Sequence, residues 1–116
     1  MSALRDAAQV ALNKCLSVQP EDFVLIVTDE ECRDIGQLFR EVADELETET
    51  LYLEYKARRQ HGEEPPIGVA EIMREVDVVI APTARSISHT DARRKACKAG
   101  ARIATMPGVT ASVLEH

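Results

Sequence analysis

Phe23-Val-Leu-Ile-Val27 is an unbroken run of aliphatic and β-branched residues. A strand with no polar face belongs in a sheet covered on both sides, as parallel sheets are. What surrounds the run fits that demand. Upstream, Leu4, Ala8, Ala11, Leu12, Cys15 and Leu16 fall at helical spacing over residues 3–16, with Ser2 as a candidate N-cap. Downstream, Ile35, Leu38, Phe39, Val42, Ala43 and Leu46 recur at i, i+3, i+4, i+7, i+8 and i+11, the clearest amphipathic pattern in the chain. Thr28 and Glu31 have the spacing of a capping box at its start.

The alternation continues. Thr50 to Tyr55 alternates in polarity, as a strand at a sheet edge does. Lys56 to Pro66 is a charged loop containing His61-Gly-Glu-Glu-Pro-Pro66, and residues 67–75 form a short helix on Val69, Ile72 and Met73. Val76 to Ala81 is a third strand. Ser88 with Asp91 has capping-box spacing for a helix that runs to Gly100, a natural C′ residue. Ala101 to Thr105 is a fourth strand, followed by Met106-Pro-Gly108 and a fragment of helix. The order α-β-α-β-α-β-α-β specifies a three-layer α/β/α fold, doubly wound (Rossmann- or flavodoxin-like). Right-handed crossovers favour a four-stranded parallel sheet of order 2-1-3-4.

In that order the topological switch lies between strands 1 and 3, where open α/β sheets bind ligands. The residues leaving those strands are Thr28 to Glu31 and Pro82 to Ser88. A crevice there would be lined by Thr28, Asp29, Thr83, Arg85, Ser86, Ser88 and His89. Its hydroxyls, arginine and helix start suit a small molecule or anion.

Composition narrows the partners. Hydrophobic residues make up 45% and charged residues 29% of 116, a globular balance sized for one domain. A net charge of −6 argues against nucleic acid or an anionic membrane as partner. Only 3% of residues are aromatic and Trp is absent, so base-stacking platforms are not expected. No run approaches the roughly 20 apolar residues of a membrane span. Cys15, Cys32 and Cys97 form no CxxC pair, which suits free, buried thiols in a reducing cytoplasm. Leu114-Glu115-His116 reads as the remnant of a cloning tag, leaving residues 1–113 as one α/β domain of a longer protein.

The familiar catalytic signatures are missing. Neither GxGxxG nor GxxxxGK[ST] occurs, which argues against a dinucleotide fingerprint and a P-loop. A phosphoreceiver site needs an acid after strand 3, where this chain has Pro82-Thr83. His61, Glu63, Glu64 and His89 make a metal set only if their two loops meet. Ser86, Ser88 or Thr83 beside His89 lack a nucleophile elbow, and capping explains Ser88 without catalysis.

Five segments nevertheless occur in a telling order: Val24 to Glu31, His61 to Pro66, Asp77 to Thr83, Ser86 to Thr90 and Gly100 to Gly108. Over residues 1–113 the chain resembles the N-terminal part of leucyl aminopeptidase (aminopeptidase T)-like proteins, related to the M29 metallopeptidases. That resemblance implies a cytoplasmic exopeptidase that removes N-terminal residues from peptides through a metal-activated water. The divalent metal, zinc, cobalt or manganese, would be held by a C-terminal catalytic domain of the same chain. This piece would be the scaffold on the substrate side, itself inactive, with no catalytic or metal residue. Two sheet edges leave room for a homo-oligomer.

Overall fold

The structure, a computed structural model, describes residues 2–85 and 87–105; of Ser2 to Leu4 and Cys15 it describes the backbone alone. Its strands are β1 (Phe23–Asp29), β2 (Glu49–Tyr55), β3 (Val78–Ala81) and β4 (Arg102–Thr105). Its α-helices are α1 (Ser2–Val10), α2 (Arg33–Glu45), α3 (Ile67–Met73) and α4 (Asp91–Lys98). The sheet is parallel with order β2-β1-β3-β4, as the alternation requires. β1 pairs along its whole length with β2, from Phe23 opposite Glu49 to Asp29 opposite Tyr55. On its other side Val24, Leu25 and Ile26 pair with Val78, Val79 and Ile80.

Period-two geometry sends alternate β1 side chains into two separate cores. Val24 and Ile26, with Val78 and Ile80, meet Ala8, Leu12 and Leu16 of the first helical segment and Ile35, Phe39 and Val42 of α2. Leu25 and Val27, with Val79 and Ala81, meet Met73 of α3 and Ala92 and Ala96 of α4. The unbroken apolar run of β1 is therefore one strand serving both layers. β2, at the edge, is only partly buried, in keeping with its mixed sequence.

β3 begins at Val78 rather than Val76 and α3 ends at Met73 rather than residue 75, and the first helix and the two caps depart further from the sequence expectation. The first helix does not run as α-helix from 3 to 16: Ser2 lies inside α1, and Ala11–Cys15 forms a π turn. Thr28 does not cap α2. It is a buried β1 residue whose hydroxyl donates to the Pro82 carbonyl at 2.7 Å. Ser88 does not cap α4 either; Thr90 does, its Oγ1 accepting from the Arg93 amide at 3.2 Å. In both cases an acidic residue three positions on imitates a capping box: Thr28 is still within β1, and Ser88 lies two residues before the true cap.

Gly36 shows how closely α2 lies on the sheet. A Cβ there would stand 2.8 Å from Thr28 Cγ2 and 2.9 Å from Thr28 Cβ. Gly100 plays its expected part, with φ +109 just after the α4 C-cap Ala99.

Candidate functional site

The parallel sheet directs its strand ends, and the loops leaving them, to one rim. Asp29 closes β1 there and is 1% exposed. Its Oδ1 accepts from the Glu31 and Cys32 amides, each at 3.1 Å, and its Oδ2 accepts from the Ala84 amide at 2.7 Å. One carboxylate thus ties the loop after β1 to the loop after β3. Thr28 makes the second tie, to Pro82. Thr83, also buried, turns its hydroxyl onto the Arg85 carbonyl at 2.6 Å.

The seven residues expected at the switch point therefore divide. Thr28, Asp29 and Thr83 are brought together but buried, their polar atoms engaged within the protein. Arg85 and His89 are exposed. Ser88 is half-buried, its hydroxyl 2.6 Å from that of Thr105. Ser86 lies outside the described residues.

The charged loop after β2 reaches this rim as a strap. The Glu64 carboxylate accepts from the Asp91 and Ala92 amides at 2.7 and 3.1 Å. Those are the first free amides of α4, so its N-terminus already holds an anion of its own. Glu63 Oε1 accepts from the Arg59 and Gln60 amides, both at 2.8 Å, and Glu30 Oε1 from the Ala57 amide at 2.8 Å. The Gln60 and Arg59 amides hold the Glu63 carboxyl below its ordinary range, and the Ala57 amide does the same for Glu30. Nothing local predicts the Glu64 bonds, since Glu64 and its partners on α4 are 27 and 28 positions apart. The adjacent Pro65-Pro66, which stiffens the approach, is the one legible signal.

Of the set His61, Glu63, Glu64 and His89, Glu63 Oε1 and both Glu64 oxygens accept from backbone amides. Among the described residues no three His, Cys, Asp or Glu side chains converge in a metal-holding group. The thiols meet the expectation of burial only in part. Cys32 is buried at the start of α2, and burial, with Asp29 and Glu31 adding to it, pushes its pKa up to about 11. Cys97 is exposed rather than buried, on the outer face of α4. The side chain of Cys15 is outside the described set.

Sheet order, two-sided helical cover and a rim built from the loops after β1, β2 and β3 define a doubly wound α/β domain. Among solved structures that fold recurs in 2,5-dihydroxypyridine dioxygenase from Pseudomonas putida, with TM-score 0.70 and 16% identity over 90% of this chain and 34% of that one. It recurs again in wild-type AmpT (aminopeptidase T) from Thermus thermophilus, with TM-score 0.60 and 15% identity over 91% of this chain and 36% of that one. At such identities the likeness is one of fold. The chain spans about a third of the length of either neighbour. No family model matches the sequence, and no curated protein matches it. No helix among the described residues is long and apolar enough to cross a membrane.

Proposed function

We propose that this chain is the N-terminal α/β domain of a longer metal-dependent enzyme of the aminopeptidase T type. In this reading it forms the substrate-side scaffold and its partner is a C-terminal domain of the same protein that holds the divalent metal. One observation carries the reading: nearly the whole chain matches about a third of AmpT, so the fold occurs there as one unit of a larger protein. The ordered segments that resemble leucyl aminopeptidase-like proteins support the same assignment. The satisfied polar groups of Thr28, Asp29 and Thr83 support a scaffolding role for the crevice floor. The dioxygenase neighbour keeps the reaction class a proposal, because the fold serves a different chemistry there.

The test compares two proteins. The longer protein, loaded with zinc, cobalt or manganese, is expected to release N-terminal residues from short peptides. The 116-residue chain is expected to do neither this nor retain metal after dialysis. Elemental analysis finding one tightly held metal ion per 116-residue chain would overturn the assignment.

A further inference from the structure

The net charge of −6 conceals a division along the chain. Residues 1–55 hold four Lys and Arg against thirteen Asp and Glu, whereas residues 56–116 hold ten against seven. Part of that positive excess gathers on the strap. Lys56, Arg58 and Arg59, with Glu63, wall a hollow of about 320 Å³ at the C-terminal end of β2. Arg85 joins them from the loop after β3, its Nε donating to the Arg59 carbonyl at 3.1 Å. Arg58 is held at two points: its Nε donates to the Glu64 carbonyl at 3.0 Å, and its guanidinium lies 5.2 Å from the Tyr55 ring centre.

Glu63 stands in the wall itself, but the carboxylates nearest the group already commit oxygens to the backbone. Glu30, Glu63 and Glu64 each accept from backbone amides. The ion pairs found among the described residues involve Arg5, Arg33, Arg94 and Arg102, and none of the four rim cations. In Arg58 and Arg85 the Nε is the engaged donor, and the two terminal nitrogens of a guanidinium can by themselves grip paired oxygens. The hollow is at the small end of ligand sites.

The geometry points to a small-anion subsite on the strap. Lys56, Arg58, Arg59 and Arg85 together bind a compact dianion with paired oxygens, a phosphate or a dicarboxylate. It lies beside the switch point rather than in it, because the α4 N-terminus is filled by Glu64. Binding is a property of this chain and is independent of the aminopeptidase reading.

Titrating inorganic phosphate and, separately, glutarate into the isotope-labelled chain at low ionic strength tests this by amide NMR, since salt screens exposed charges. Saturable shifts centred on residues 56–60 and 85 are expected with at least one anion, and the tighter arm identifies the ligand chemistry. The double variant Arg59→Ala/Arg85→Ala should weaken that binding at least tenfold, while Arg40→Ala on α2 leaves it unchanged. Should the alanine pair lose spectral dispersion, Arg59→Lys/Arg85→Lys replaces it. That pair keeps both charges but removes the forks, and at least a threefold loss is expected. Shifts that never saturate with either anion, or that centre on Arg93, Lys95 and Lys98, would sink the proposal. So would unchanged affinity in the folded double variant.

Discussion

The two ends of the sheet use charge differently. At the N-terminal end, opposite charges meet: Arg102 of β4 bonds Asp22 at 2.6 Å and also the Leu16 and Ser17 carbonyls. Asp77 accepts from the Phe23 amide at 2.8 Å, joining the starts of β3 and β1. At the C-terminal end four carboxylates, Asp29, Glu30, Glu63 and Glu64, accept from loop amides. Arg33 pairs there with Glu54, while Lys56, Arg58, Arg59 and Arg85 enter none of the ion pairs found among the described residues. Neutralised pairs hold strand starts in place. Carboxylates satisfying loop amides shape a rim whose positive side chains remain available to a ligand, at the end where open α/β sheets bind one.

Breaking the keystone of each end should expose the contrast. Asp29→Ala leaves three loop amides without their charged acceptor, at least one of them buried, and should lower unfolding free energy by about 3 kcal/mol or more in urea melts. Gly36→Ala tests the packing beneath that rim. The new methyl meets Thr28 on the central strand, so overpacking of about 1–3 kcal/mol opposes the gain of about 1 kcal/mol in helix propensity. A net loss is expected, and a stabilised variant would show that α2 can lift from β1. Arg102→Ala at the opposite end should cost only about 1 kcal/mol, because that guanidinium is partly solvated. If it costs as much as Asp29→Ala, the two ends are equally structural.

Acid sharpens the comparison with the smallest effect. The Glu30 and Glu63 carboxyls titrate below their ordinary value in the folded chain, chiefly through the Ala57 amide for Glu30 and the Gln60 amide for Glu63. Their stabilisation is therefore complete above the unfolded value near pH 4.5 and is lost as pH falls through the lower folded values. Hydrogen exchange at Ala57, Arg59 and Gln60 should quicken below that pH while β1 and β3 amides stay protected. Simultaneous loss of both would show that the strap has no stability separate from the sheet.

Fold and site were not equally legible in the sequence. Strand order followed from alternation and handedness, because Phe23 to Val27 admits no solvent face and so fixes β1 in the middle. The caps were misplaced, since Thr28 and Ser88 carry the residue types of a cap without its backbone position. The strap was invisible for another reason. Its bonds run from β2's exit to α4 across two intervening elements, and only the assembled fold brings Glu64 to the Asp91 amide. Local pattern reports what a segment prefers, not what arrives beside it.

The π turn at Ala11–Cys15 bears on how the chain tolerates changes in length. The Leu16 amide reaches back to the Ala11 carbonyl, five residues away, at 3.1 Å. Such a turn holds one residue more than an α-helical turn. Ala8, Leu12 and Leu16 nevertheless all face the core at successive intervals of four. Deleting Asn13 or Lys14, both exposed, would move Leu16 to the seventh place after Ala8, where an ordinary α-helix puts it on the same face. The π turn thus takes up one residue of the chain, and deleting Asn13 or Lys14 is expected to keep Ala8, Leu12 and Leu16 on one face.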